Sequence, residues 1–274
     1  MTINSEIVEL SPDDHFNFDC HPGVACFNQC CRDLSQALTP YDVLRLRRHL
    51  DMTSSAFLEQ FTRRGIGPQT GLPVVSLRPL EPLLKACPFV TASGCRVYPD
   101  RPSSCRMYPV FRAAARQRET GVISERFFLI QEPHCQGFDR GRQWTVREWI
   151  TNQELEDYNR ANDYMLALIS VKNQRMPGVL DAQTLEWVYT ACYDIDRFRE
   201  VMPADKDPVG PAPGAISFSG AIRPPRTEAS SGGLSSARTA SSPVSDDLAR
   251  LALGMAFVRR NIFGEPPEAD HGVI

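Results

Sequence analysis

Eight of the chain's nine cysteines fall between Cys20 and Cys135. They come as two groups of four. Cys20, Cys26, Cys30 and Cys31 are spaced C-x5-C-x3-C-C, and Cys87, Cys95, Cys105 and Cys135 are spread over a longer stretch. The first residues carry no basic segment followed by an apolar run, so the expected location is the cytoplasm. A reducing compartment does not maintain structural disulfides, and thiols this dense then serve metal or redox chemistry. Metal ligation is the first reading. A disulfide framework is its alternative, and the odd count leaves one thiol over.

The spacing bears on the metal. Structural zinc sites draw four thiolate or imidazole ligands from paired C-x2-C knuckles, and this sequence has none. Adjacent Cys30 and Cys31 leave a common backbone in different directions, which suits one multi-iron cluster or two neighbouring sites better than one tetrahedral ion. Cys87 is followed by Pro88 as in one ferredoxin-type ligand run. Residues 20–140 carry 16 Lys and Arg against 10 Asp and Glu although the whole chain has a net charge of -3. Within that excess, Arg96, Arg101 and Arg106 sit one, four and one residues from a cysteine, where they would offset the negative charge of an iron–sulfur cluster and donate to its sulfurs. Iron–sulfur is thus preferred and zinc kept open. His21 and His134 abut cysteines and are candidate substitute ligands, more commonly outer donors. Cys192 stands apart on the stripe Leu185, Val188, Cys192, Ile195, where a cysteine packs as a small hydrophobe.

The elements that must position these residues read as α+β: a small irregular cysteine-cluster domain with a helical hairpin and short strands, followed by a helical extension. Thr39, Pro40 and Asp42 form a capping-box start for one helix, and a second is predicted over Ser54–Arg64, ended by Gly65-Ile66-Gly67-Pro68. Val110–Ala115 and Val122–Ile130 read as strands joined around Glu119-Thr120-Gly121. A capping box at Thr145–Glu148 opens a predicted long helix through Trp149, Leu155, Tyr158, Met165 and Leu168, and another helix spans Ala182–Val201. The domain reading is 1–145 for the metal-binding domain, 146–202 for a helical extension packed on it, 203–245 for a Pro-, Gly- and Ser-rich disordered linker, and 246–274 for an amphipathic helix and tail. Leu248, Leu251, Met255, Val258 and Ile262 form the last helix's stripe, which would dock on the body or on a protein partner.

In this order the residues resemble the YkgJ family of cysteine-cluster proteins, described as zinc- or iron-chelating: the crowded group ending Cys30-Cys31, the Leu38-Thr39-Pro40 helix start, Cys87-Pro88-Phe89, Gly94-Cys95-Arg96-Val97-Tyr98, Arg101-Pro102 before Cys105-Arg106, and Cys135. The likeness covers about residues 18–138, and the Arg-Pro-x-x-Cys-Arg phrase makes it specific. It implies that the eight cysteines are the family's metal-binding set. Flagellin lysine N-methylase is similar through its cysteine cluster and implies, as an alternative, methyl transfer from S-adenosylmethionine to protein lysines. Against that reading, no strand followed by a glycine-rich loop opens a helix here, and no C-x3-C-x2-C run occurs.

Three functions follow: a metal- or cluster-binding protein in redox or metal handling, a protein lysine methyltransferase, and a metal-stabilised interaction module reaching a partner through the last helix. Membrane insertion is not expected, since no stretch approaches the roughly 18 apolar residues of a spanning helix. Nucleic acid is disfavoured because the basic region lacks interleaved aromatics. Ser103 and Ser104 approach His134 only in sequence, and Asp33 and Asp100 have no evident acid–base mate, so these are expected in turns and on the surface.

Overall fold

The computed structural model describes residues 6–32, 35–80, 85–138, 141–202 and 243–266. Strand β1 (Glu6–Leu10) and β2 (His15–Phe18) precede a 3-10 turn at Gln29–Arg32 that carries Cys30 and Cys31. There follow β3 (Ala37–Leu38), α1 (Pro40–His49), α2 (Ser54–Phe61), β4 (Thr62–Ile66) and β5 (Pro73–Leu77). The second cysteine group lies on β6 (Val90–Thr91), β7 (Gly94–Cys95), α3 (Ser103–Met107), β8 (Val110–Arg116) and β9 (Ile123–Gln131), together with the loops that flank them. The chain continues through β10 (Arg142–Thr145), α4 (Val146–Asn152), α5 (Glu156–Arg175), α6 (Ala182–Cys192), α7 (Ile195–Val201) and α8 (Pro243–Phe257), the last running into a π-helical turn at Val258–Ile262. This is an α+β fold. Among the described residues the strands form small antiparallel sheets in the orders β1-β9-β8, β10-β2, β3-β5-β4 and β6-β7.

Both capping boxes form. Thr39 Oγ1 accepts from the Asp42 amide at 3.2 Å while the Asp42 carboxylate accepts from the Thr39 amide at 2.8 Å, and Thr145 and Glu148 repeat the exchange. Each satisfies two amide donors that a helix start leaves orphaned. The β8–β9 hairpin pairs Val110 with Leu129 and Arg116 with Ile123, and its turn passes through Gly121 at a φ of 71°.

Three predicted helices are shorter or interrupted. The second ends at Phe61 because Thr62 turns extended and its Oγ1 bonds the Leu58 carbonyl at 2.6 Å; Arg63 and Arg64 then pair with β5. The predicted long helix breaks into α4 and α5 at Glu154, whose φ is 51°, and the break exposes the Gln153 carbonyl, which accepts from Arg106 at 2.7 Å. The Ala182–Val201 helix breaks before Asp194, whose carboxylate accepts from Ser54 Oγ and Ser55 Oγ at 2.7 Å each. At the last two breaks a long-range partner outcompetes helix continuation, which local periodicity cannot register.

The C-terminal stripe docks on the body. Leu251, Met255 and Val258 are buried in the same hydrophobic cluster as Phe57, Phe198 and Tyr158, while Leu248 and Ile262 are half-buried at its edge. Phe257 packs on Trp187 and Phe198 with ring centroids 5.6 and 5.2 Å apart. Ion pairs complete the contact: Arg47 to Asp247 at 2.5 Å, a close ionic approach off the hydrogen-bond axis, and Arg250 to Asp196 at 3.5 Å. The helix begins at Pro243, so residues 243–245, read as linker, belong to it; Pro suits a first helical turn. The remainder of that predicted linker, 203–242, lies outside the described residues, as do Asp33 and the tail from 267.

At Gly254 the α8 backbone meets α6 so closely that a Cβ would lie 1.9 Å from the Ala191 carbonyl oxygen. Replacing Gly254 with Val is therefore expected to push α8 off the body and lower the unfolding free energy by about 3 kcal/mol, the upper end for overpacking. Urea denaturation checks the loss, and limited proteolysis checks that the C-terminal segment becomes the first region cut.

Candidate metal centre

Four chain segments carry the eight cysteines, and charge on one thiol is felt by others across the segments. Cys20 and Cys26 lie in the turns after β2, Cys30 and Cys31 on the 3-10 turn, Cys87 in the loop before β6, Cys95 on β7, Cys105 on α3, and Cys135 beyond β9. All nine cysteines are free thiols in this structure. The Asp19 amide donates to the Gly137 carbonyl at 2.9 Å, tying the Cys20 turn to the Cys135 loop, and the Gln136 amide donates to Cys26 Sγ at 3.2 Å. A Cβ on Gly137 would lie 2.6 Å from the Asp19 carbonyl oxygen, so this approach requires glycine. On the other side the Cys87 amide donates to the Cys31 carbonyl at 2.8 Å, and Asn28 Nδ2 to the Thr91 carbonyl at 3.1 Å. Sγ of Cys30 and of Cys31 are 3.9 Å apart.

Helix α1 is the platform for the Cys95–Cys105 segment. The wholly buried Asp42 carboxylate caps α1 and also accepts from the Ser103 amide at 2.7 Å, so one side chain joins the N-termini of α1 and the cysteine-bearing α3. Asp100, expected at the surface, is instead held by Arg45 Nε at 2.6 Å and His49 Nδ1 at 2.9 Å, while His49 Nε2 lies 3.1 Å from the Arg96 carbonyl. Ser103 and Ser104 are likewise structural: Ser103 Oγ donates to Asp42 and Ser104 Oγ accepts from Gln36. The Gln36 Oε1 in turn accepts from Cys105 Sγ at 3.3 Å. Asp42, Asp100, Gln36 and His49 support the centre, and of these only Asp42 had a local signal, its capping box.

The three arginines serve other ends than donation to sulfur. Arg106, 4% exposed, turns into the helical body, donating to the Gln153 and Pro99 carbonyls with its guanidinium 5.1 Å from the Tyr158 ring centroid. Arg101 donates to Gln153 and stacks 3.8 Å over Tyr98, and Arg96 lies over Phe89 at 5.4 Å. Backbone carbonyls and ring faces satisfy the flat guanidinium fork better than thiols do. Arg101 and Arg96 still act on Cys95 through space, favouring its thiolate. His21 accepts from the Gly23 amide at 3.0 Å and faces Asp19, and His134 faces Glu132, each carboxylate 3.8 Å away.

The electrostatics express crowding. Burial pushes Cys20 up to about 11, aided by negative charge on Cys30, Cys26 and Cys135. Burial likewise raises Cys87, Cys95, Cys105 and Cys135, with neighbouring thiolates adding to it. Cys105 belongs with these although the residue as a whole reaches solvent. Cys30 alone is drawn down, to about 7, by the hydrogen bond from Cys31, whose own thiol is correspondingly raised. Such a set cannot ionise together without a cation.

The donor set fits a thiophilic metal. Backbone amides of Phe89, Val90, Val97 and Gly137 face Cys87, Cys95 and Cys135, as amides do around metal thiolates. The buried Tyr108 hydroxyl, which lacks a hydrogen-bond partner of good geometry among the described residues, lies beside Cys135 and Glu132. As placed, no three Cys, His, Asp or Glu side chains among the described residues stand at the spacing a bound ion imposes.

A family model, CxxCxxCC, described as "Putative zinc- or iron-chelating domain", matches residues 19–136. Residues 19–136 match a domain of the YkgJ type, the type described as zinc- or iron-chelating. No curated protein and no solved structure matches the chain. The chelating domain departs from its family's title motif, with spacers of five and three residues before the Cys30-Cys31 pair in place of two and two. It contains all eight clustered cysteines and excludes Cys192, which is buried in α6. Among the described residues no helix is long and apolar enough to cross a membrane.

Asp42→Ala leaves the Thr39 and Ser103 amides without their buried acceptor, and the expected cost is about 3 kcal/mol, with faster loss of bound metal to a chelator. Asn, keeping one acceptor oxygen, is expected to lose about half as much. Paired urea melts and chelator-competition rates check both. Cys192 provides a pH test. Burial raises it from 9.0 to about 12, so above pH 9 the unfolded chain releases a proton that the folded chain retains. Stability falls as pH rises through that window, by up to about 1.4 kcal/mol per pH unit. Cys192→Ala removes this contribution, so the difference between the urea midpoints of variant and parent is expected to stay constant below pH 9 and to shift in the variant's favour above it.

Proposed function

We propose that the chelating domain holds an iron–sulfur cluster, with zinc as the alternative occupant, and that it does so for redox or metal handling. The observation that carries this reading is the convergence of eight thiols from four chain segments, several of them facing backbone amides. Thiolate-only donor sets select zinc and iron–sulfur clusters over harder cations, and the adjacent Cys30 and Cys31 favour a multi-iron group. Exposure favours handling over a purely structural role: Cys20, Cys30 and Cys105 reach solvent, whereas structural zinc sites are closed. When bound, the metal would supply the positive charge that lets the crowded thiols ionise. The chain's own residues hold the sulfurs in reach, Asp42 and Asp100 through α1, and Gly137 through the Cys20–Cys135 contact.

Anaerobic purification followed by absorption spectroscopy and analysis for iron, sulfide and zinc tests the reading. A brown protein with broad visible absorption and near-equal iron and sulfide is expected. A colourless protein with stoichiometric zinc would overturn the iron–sulfur assignment, and one that retains neither after anaerobic reconstitution would overturn chelation itself.

A further inference from the structure

His49, the last residue of α1, sets Nδ1 2.9 Å from the Asp100 carboxylate and Nε2 3.1 Å from the Arg96 carbonyl. Both partners are acceptors. A carbonyl has no proton to give, and Asp100 meets the Arg45 guanidinium, whose Nε and Nη2 each stand 2.6 Å from its Oδ1. Two hydrogen bonds to two acceptors take an N–H on each ring nitrogen, which only the imidazolium form has. We propose that His49 is a positioning residue of the chelating centre that works by protonation: charged, it braces the Arg96–Asp100 segment against α1, and neutral, it lets that segment loosen. The proposal rests on the chelating reading above and adds a regulation to it.

Arg96 directly follows Cys95, and Asp100 lies five residues before Cys105, so the brace holds the chain between two of the clustered thiols at two points. With its proton on Nε2, a neutral ring turns the Nδ1 lone pair on the carboxylate; with it on Nδ1, the Nε2 lone pair meets the carbonyl. One contact is lost either way. The His49 and Asp100 side chains are 19% and 18% exposed, which leaves water little access to replace it. The Asp100 carboxylate and the carbonyl end of α1 favour the charged ring. Neighbouring cations oppose it, and each has a partner of its own: Arg45 has Asp100 and, through space, Asp157 on α5, Arg47 has Asp196 on α7, Arg48 has Asp247 on α8, and Arg96 lies over the Phe89 ring. Glu59, the charge on α2, is exposed. The brace is present while the ring holds both protons and is lost as pH rises. Thiolate ligands act in the opposite sense, giving up metal as pH falls. Metal retention is therefore bounded on both sides.

The test takes the full chain, reduced and as purified, through a pH series from about 5 to about 9, past the ordinary histidine range. Long-range nitrogen–proton NMR correlations of the His49 ring are expected to show two protonated nitrogens at the acid end and one at the alkaline end. Over the same series, amide exchange in residues 96–103 is expected to quicken by about tenfold beyond its intrinsic rise, the measure of one lost hydrogen bond. A ring neutral throughout, a ring still doubly protonated at the alkaline end, or exchange that keeps to the intrinsic rise would overturn the proposal. A second arm adds zinc and follows its release to a chelator. Release from the parent is expected to quicken at both ends of the series. His49→Gln, neutral at every pH, is expected to lose the alkaline rise by being fast already at neutral pH. Asp100→Asn is expected to lose it while staying slow, because its amide donates to the neutral Nδ1. An alkaline rise that persists in both variants shows a histidine that merely packs, and overturns the proposal as well. Circular dichroism accompanies each variant, and should His49→Gln fail to fold, Asp100→Asn carries the comparison. A chain that retains no zinc fails the chelating reading, while the first arm still decides the brace.

Discussion

Thiolates repel, and eight in one place repel strongly; every part of this fold near the cysteines bears on that constraint. Burial and mutual charge raise most of the thiols, so the ionised set has no stability of its own. The chain must hold the sulfurs together by other means until a cation neutralises them. It does so with neutral backbone contacts, Asp19 to Gly137 and Cys87 to Cys31, rather than with arginines set against sulfur. That choice explains why Arg106 is free to turn away and brace the break between α4 and α5.

Helix α1 transmits this restraint to the rest of the molecule. One of its faces grips the cysteine segment through Asp42, Arg45 and His49. Another receives α8 through Arg47 and Arg48, both paired with Asp247. Between them lies a core that includes Tyr41, Leu44 and Leu46, each no more than 2% exposed. The helices beyond residue 145 thereby pack on the same helix that holds the Cys95–Cys105 segment. A surface-exposed centre gains preorganisation this way without being enclosed.

What could be read in the sequence was local. Thr39-Pro40-Tyr41-Asp42 and Thr145-Val146-Arg147-Glu148 announce their helices because a capping box is complete within four residues. The β8–β9 hairpin is legible in its turn, and Cys192 in its apolar stripe. The breaks at Glu154 and Asp194 are not, because their causes are Arg106 and Ser54, which bond Gln153 and Asp194 across 47 and 140 positions. The same limit governs the centre. The eight cysteines and the family resemblance are plain in the sequence, but the backbone contacts that join the Cys20 turn to the Cys135 loop and Cys31 to Cys87 are not. Asp100 looked like a turn residue because nothing nearby reveals that Arg45 and His49 await it.

The central claim is an all-thiolate metal centre built from Cys20 to Cys135, and X-ray absorption at the edge of the metal retained by the anaerobically purified chain tests it most directly. The account predicts a first shell of sulfur alone, four per metal. A first shell containing nitrogen or oxygen as a major component would contradict it.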